Sequence, residues 1–144
     1  MLRNSTGDIG FIIHLVSNKI RKHANQELET EGITAKQGRF LYYLHEHAHE
    51  KVTQKDLQVH FEISHPTATG IIKRLEQKGY VSSKVDTCDK RSKIIELTPK
   101  EMELNEKMEL CRIKIEQEIN KNLTKSEKSE LIRLLFKVYE NIKE

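Results

Sequence analysis

Residues 85–99 read VDTCDKRSKIIELTP. The charged run within this stretch, residues 88–93, lies between two short segments in which apolar and polar residues alternate. The first segment includes Val81 and Val85, and the second includes Ile95 and Leu97. Alternation with a period of two is typical of strands, so the pattern predicts one antiparallel hairpin. The run contains no Asn-Gly or Asp-Gly pair to form a tight turn. We therefore expect a wide, charged loop at the hairpin tip.

The rest of the chain has the period of amphipathic helices, and helix caps divide it. Thr34, Thr98 and Thr124 are each followed three residues later by Gln or Glu, the pattern of a capping box, and Gly32 and Gly79 are expected to end helices. Six helices are predicted, over residues 8–31, 35–48, 54–61, 65–78, 99–122 and 125–143. The predicted fold class is mostly α with a small β-hairpin (α+β).

Composition places the chain among helix-rich soluble proteins with a large solvated surface. Its 144 residues are 36% apolar and 33% charged and include no Trp. The first and the last two helices have more apolar residues than such a small domain needs, which indicates a partner subunit. No apolar run approaches the roughly 20 residues that cross a bilayer. We expect no membrane association.

Positive charge is concentrated in one segment. Residues 64–93 contain seven Lys and Arg against three acids, an excess of +4 in a chain whose total is +3. A local excess of this kind favours a nucleic-acid partner. The two cysteines, Cys88 and Cys111, indicate a reducing, cytoplasmic location without disulfides. Cys111 lies in a helical apolar stripe and is assigned to the core, whereas a redox role for Cys88 is left open.

Two short helices joined by Glu62-Ile63-Ser64 have the spacing of a helix-turn-helix. In the second, one face is apolar and the opposite face carries Pro66, Gly70, Lys73 and Gln77. Small residues allow close approach to base edges, and Lys and Arg meet phosphates. The pattern alone also fits an ordinary amphipathic surface helix.

The order of helix-turn-helix, hairpin and long helix resembles the MarR/SlyA winged-helix transcription regulators of bacteria and archaea. The resemblance extends over nearly the whole chain. Its most specific part is the wing motif D-x-R followed by apolar residues and L-T, met here by Asp89, Arg91, Ile95, Leu97 and Thr98. Two positions differ from the family pattern, Gln58 and Glu62, where Ala and Gly are common.

The resemblance implies a single domain over residues 1–144. Dimerisation helices, 1–32 and 99–144, flank a winged helix-turn-helix, 34–98, whose recognition helix is 65–78 and whose wing is 80–98. It also implies a homodimer that binds a pseudo-palindromic operator in double-stranded DNA, acts as a repressor, and is released by a small aromatic or anionic effector. Neither a cofactor nor catalytic residues are expected.

The predicted DNA interface has two parts. Arg91 is the expected minor-groove probe, because a planar, always charged side chain suits a narrow A·T-rich groove, and Asp89 is expected to orient it. By position, the resemblance implies further contacts at the recognition helix and its start, and the wing offers two lysines to phosphates: Ser64, His65, Pro66, Thr67, Thr69, Gly70, Lys73 and Arg74 on the first, and Lys90 and Lys93 on the second. For the effector pocket, the first helix offers His14, Arg21 and His23.

The sequence His45-Glu46-His47-Ala48-His49 contains H-E-x-x-H, a zinc-hydrolase motif. That motif needs a continuous helix and a third ligand, but here it falls at a predicted helix end, and Lys55 stands where a third His is found in one subfamily. His45, His47 and His49 are therefore weak metal candidates only. Two alternatives stay open: a metal-responsive regulator using this cluster, and a helical interaction module that does not bind DNA.

Overall fold

The computed structural model describes residues 7–143. Within these residues, four α-helices and a short 3₁₀ turn precede one antiparallel hairpin, and two further helices follow it. The elements are α1 (Ile9–Leu28), a 3₁₀ turn (Glu29–Glu31), α2 (Ala35–Glu46), α3 (Gln54–Phe61), α4 (His65–Gln77), β1 (Val81–Val85), β2 (Lys93–Leu97), α5 (Glu101–Asn120) and α6 (Lys125–Ile142). The predicted mostly α fold with one hairpin is confirmed.

A hydrophobic core joins α2, α3, α4 and the hairpin. Leu41, Leu57 and Leu75 are completely or almost completely inaccessible to solvent, and the ring of Phe40 stacks on that of Phe61 with centroids 4.9 Å apart. Burial of one such side chain stabilises a fold by about 1.5–3 kcal/mol. The apolar face of α4 faces this core as its periodicity predicted, with Ala68, Ile71, Ile72 and Leu75 buried.

Local caps set most helix starts. Reciprocal capping boxes form at Thr34, Thr53 and Thr124, and the Ser64 hydroxyl accepts a hydrogen bond from the Thr67 amide at the start of α4. Gly79, with φ of 81°, follows α4 in the left-handed conformation that glycine adopts without steric cost.

The predicted capping box of Thr98 with Glu101 is wrong. The Thr98 hydroxyl donates instead to the Gly79 carbonyl at 2.5 Å, and α5 begins at Glu101, after Pro99. The Glu101 carboxylate turns into the protein, where it is 0% exposed and both of its oxygens lie 2.6–2.7 Å from Nε2 of His45 at the end of α2. A tertiary contact has displaced the local one.

The terminal helices leave apolar side chains uncovered. The amino-terminal half of α5 packs on the core through Leu104, and α1 packs against α5. By contrast, the large apolar side chains of α6 are exposed, as are several of α1: Ile9, Phe11, Ile13, Val16, Leu131, Ile132, Leu134, Leu135, Phe136, Tyr139 and Ile142. An apolar surface of this extent is typical of an interface between subunits.

Glu62 ends α3 in an unusual backbone conformation, with φ 52° and ψ 49°. A left-handed conformation costs a residue with a Cβ roughly 1–2 kcal/mol, whereas glycine adopts it freely. We expect Glu62→Gly to be more stable towards urea than Glu62→Ala by about 1 kcal/mol. Both variants lack the carboxylate that faces Tyr139, so the comparison isolates the backbone. Equal unfolding midpoints for the two would contradict this explanation.

Candidate nucleic-acid interface

The face of α4 opposite the core is open to solvent. At its amino-terminal end Ser64, His65, Pro66, Thr67 and Thr69 are exposed. Gly70 is half-buried, but the space that a side chain would occupy there is empty. Lys73 and Arg74 are exposed further along the helix. The surface therefore changes from small and hydrogen-bonding to cationic along α4, the arrangement that major-groove binding requires.

A layer of polar side chains lies behind this face. Gln54, the first residue of α3, is only 7% exposed, and its Nε2 donates to Thr69 Oγ1 at 2.9 Å. The same nitrogen lies 3.2 Å from Nδ1 of His65, and Oε1 of Gln58 lies 3.2 Å from that Nδ1 on another side. Sequence reasoning missed both roles, although the spacing of four puts residues 54 and 58 on one face of α3.

The hairpin presents its charges at its tip. Strands β1 and β2 pair from Val81 with Leu97 to Val85 with Lys93. Between them, the side chain of Arg91 is 94% exposed. Oδ1 of Asp89 accepts a hydrogen bond from the Arg91 backbone amide at 3.1 Å, and the same oxygen lies 3.5 Å from Nε of the Arg91 side chain. Such an exposed pair contributes little stability, and the orienting role of Asp89 stays a prediction. Lys90 and Lys93 are exposed beside it.

The root of the wing is anchored by a pair that the sequence did not reveal. The Asp86 carboxylate is 4% exposed and accepts from Lys51 Nζ at 2.7 Å and from the Cys88 amide at 2.9 Å. The bond from Lys51, together with that amide, lowers the pKa of Asp86, so the ion pair is intact at neutral pH and breaks only as the pH falls through that lowered pKa. The Ile95 amide also donates to the Val52 carbonyl at 2.8 Å. These bonds join the wing to the loop before α3.

Comparison with known proteins identifies the family that has this combination of helix-turn-helix and wing. A sequence profile of the MarR family matches residues 31–92. An uncharacterized HTH-type transcriptional regulator, YwoH of Bacillus subtilis (strain 168), is 30% identical over 131 residues, which cover 89% of this chain and 93% of that protein. The chain belongs to the MarR family. It is a transcriptional regulator and not an enzyme.

Solved structures of MarR-family proteins share its fold. The S. aureus MepR–DNA complex has a TM-score of 0.88 and 27% identity, with coverage of 94% of this chain and 98% of that chain. MepR in its DNA-binding conformation has a TM-score of 0.83 and 28% identity over 93% and 98% of the two chains. The apo form of MarR from E. coli has a TM-score of 0.70 and 29% identity over 90% and 95%.

The histidine cluster of this MarR-family protein does not converge. His45 binds Glu101, and His47 donates through Nδ1 to the Tyr43 carbonyl at 2.8 Å while its ring stacks on Tyr43. Helix α2 ends at Glu46, before His47, and His49 is exposed. Over residues 7–143 no three His, Cys, Asp or Glu side chains are placed to hold a metal ion. The weak metal candidates His45, His47 and His49 are therefore not supported.

A cavity of about 240 Å³ lies between α1, α2 and α5. Its lining is mainly apolar, and its polar contributors are Arg39, Tyr42, Asn105, Glu109, Arg112 and Glu116. The Arg112 guanidinium lies 5.3 Å from the centroid of the Tyr42 ring. The predicted pocket residues are elsewhere. His14 and Arg21 contact Asn18 on the surface of α1, and His23 lines a separate cavity of about 230 Å³ with Glu27 and Lys114.

The two cysteines differ in environment. Cys111 packs against the core and lines the 240 Å³ cavity, and burial raises the pKa of its thiol, which makes it a weak nucleophile at neutral pH. Cys88 is exposed at the wing, where its backbone amide, not its thiol, contacts Asp86.

In the described part of the chain, no helix is long and apolar enough to span a membrane.

Proposed function

We propose that this MarR-family protein is a homodimeric repressor of the cytoplasm that binds a pseudo-palindromic operator. In each protomer α4 enters the major groove, and the wing places Arg91 in the adjacent minor groove. The observation that carries the proposal is Arg91 itself, a guanidinium 94% exposed at the tip of an anchored hairpin. Similarity to MepR, which has been solved with DNA, supports it.

The dimer brings together the two terminal segments, 1–32 and 99–144, of which residues 1–6 and 144 lie outside the described part. The exposed apolar side chains of α1 and α6 supply the interface. A two-fold axis between protomers would place two copies of α4 on one side of the DNA. Half-site centres are then expected roughly 34–36 Å, or one helical turn, apart.

Release by an effector is assigned to the cavity between α1, α2 and α5. The cavity lies between a dimerisation helix and α2 of the winged domain. A ligand that fits the cavity in only one conformation of the protein therefore shifts the spacing of the two α4 helices. The apolar walls suit a small aromatic compound, and Arg39 and Arg112 offer guanidinium groups to an anionic substituent, beside the carboxylates of Glu109 and Glu116. Arg112 already donates to Glu109 at 2.7 and 3.1 Å, so a bound anion competes with that carboxylate.

Arg91→Ala is expected to weaken binding to a duplex selected from random sequence by at least about tenfold, because it removes the minor-groove cation. Fluorescence anisotropy at fixed salt measures the change in affinity. Lys84→Ala is the matched control: it removes a positive charge from the same hairpin, but Lys84 pairs with Glu96 at 2.9 Å, away from the tip. Equal reductions in affinity for the two variants would mean that only net charge matters.

A steep salt dependence separates this proposal from a helical interaction module. Removal of one lysine that binds a phosphate, as in Lys90→Ala or Lys93→Ala, is expected to reduce the slope of log K against log salt by about 0.9. A protein that does not bind DNA shows no such slope.

A further inference from the structure

The polar layer behind α4 contains an arrangement more specific than packing requires. Gln54 is almost fully buried, and both of its hydrogen-bonding contacts within residues 7–143 go to side chains on the exposed face of α4, Thr69 and His65. A buried amide that holds two groups on a binding surface fixes their orientation. Gln54 therefore sets the orientation of the His65 ring.

The position of His65 Nδ1 determines what the other ring nitrogen can do. In a neutral imidazole one nitrogen donates and the other accepts. If Nδ1 accepts from Gln54, Nε2 carries the proton and is a donor; if Nδ1 donates to Gln58, Nε2 is an acceptor. Within the described residues Nε2 of His65 has no partner, and the ring is exposed, so Nε2 is available to DNA.

Two features favour the first arrangement. The amide of Gln54 has two hydrogens, one donated to Thr69 at 2.9 Å and the second directed by that bond towards His65. Gln58 is less buried than Gln54, so its amide is freer to rotate.

We infer that Gln54 is a positioning residue for sequence recognition, which holds His65 with Nε2–H directed at the DNA so that it reads guanine at one position of each half-site. Among major-groove edges, guanine offers two acceptors, N7 and O6. The inference rests on the proposed insertion of α4 in the major groove. In this arrangement a residue of α4, His65, contacts the base, and a residue of α3, Gln54, holds the His65 ring in the required orientation.

The inference makes opposite predictions for the two glutamines. In Gln54→Met the ring proton of His65 moves from Nε2 to Nδ1, which donates it in a hydrogen bond to Gln58 Oε1. Nε2 then becomes an acceptor, and the preference at that position shifts from guanine towards a base with an amino group, adenine or cytosine. In Gln58→Met, the matched control one turn further along α3, Gln54 is retained and so is the guanine preference. His65→Ala removes the preference.

The test is a competition titration of the full-length dimer against operator duplexes that carry each base at each half-site position. The parent is expected to favour guanine at the His65 position by roughly 2- to 10-fold, the effect of a single hydrogen bond. Gln54→Met is expected to abolish or reverse that ratio there only, and adding it to His65→Ala is expected to change nothing further. A uniform reduction in affinity across all duplexes, or an unchanged guanine ratio, would overturn the inference.

A measurement on the unmutated protein avoids any folding defect in Gln54→Met. The ¹⁵N chemical shifts of the His65 ring distinguish the tautomers, and we expect Nε2 protonated and Nδ1 bare. A proton on Nδ1 would overturn the inference even if DNA binding is normal. If instead the parent selects no DNA sequence at all, the proposed function fails, and this outcome is distinct from either result above.

Discussion

Leu135→Glu is expected to dissociate the dimer and to reduce operator affinity at least about a hundredfold, because each protomer then binds one half-site without the linked second one. Leu135 is exposed in the protomer and lies in the middle of the apolar surface of α6, beside Leu131 and Phe136. Its replacement leaves the protomer core intact but puts a carboxylate where two apolar surfaces must meet. Sedimentation equilibrium and anisotropy titration measure the two effects.

Lys137→Glu is the control for the dimer prediction. It introduces the same side chain two residues along α6, at an exposed position outside the apolar set, and is expected to remain dimeric. Circular dichroism should show both variants folded. A Leu135→Glu protein that is still a dimer at micromolar concentration would show that α6 is not the interface.

His45→Ala is the second large effect, and it acts on stability. It leaves the fully buried carboxylate of Glu101 without its partner, and removal of one member of such a pair costs about 3 kcal/mol. Since His45 itself is 26% exposed, we take the lower end of the usual range. At fixed protein concentration the melting temperature is expected to fall by roughly 6–12 °C.

The pH dependence identifies the carboxylate as the cause. Burial raises the pKa of Glu101 and His45 opposes that rise, so the pKa rises further in His45→Ala. A carboxyl group with a higher pKa in the folded state than in the unfolded state binds more protons when folded, and its protein loses stability as pH increases between the two values. His45→Ala should therefore lose stability, relative to His45→Ala/Glu101→Gln, in which an amide replaces the carboxyl, as the pH rises from the ordinary glutamate pKa to the raised pKa of Glu101. Parallel pH profiles would rule out Glu101 as the source.

Helix starts could be predicted because their causes are local. The predicted caps at Thr34 and Thr124 depend on residues three positions away, and both form. The same pattern failed at Thr98, because Glu101 found a partner 56 residues away in His45. The local sequence at Thr98, including Pro99 at the expected first helical position, predicts a cap there as well. The contact between Glu101 and His45 of α2 is what the local sequence does not show.

The candidate site divides in the same way. The exposed side of α4 follows from its period, and the charged wing tip from the hairpin pattern. The anchor between Lys51 and Asp86 and the contact of Gln54 with His65 depend on how separate elements pack. The cavity between α1, α2 and α5 is a further case. It is lined from three helices, and helix α1 alone pointed to His14, Arg21 and His23, which lie outside it.

The central claim is that a symmetric pair of winged helix-turn-helix units reads DNA, and selection of binding sites from random duplex DNA by the purified protein tests it most directly. We predict enrichment of a pseudo-palindrome whose half-site centres are about 10 base pairs apart, flanked by A·T-rich segments at the wing positions. No enrichment is expected with Leu135→Glu. Failure of the parent to enrich any sequence, or enrichment of a site without two-fold symmetry, would contradict the account.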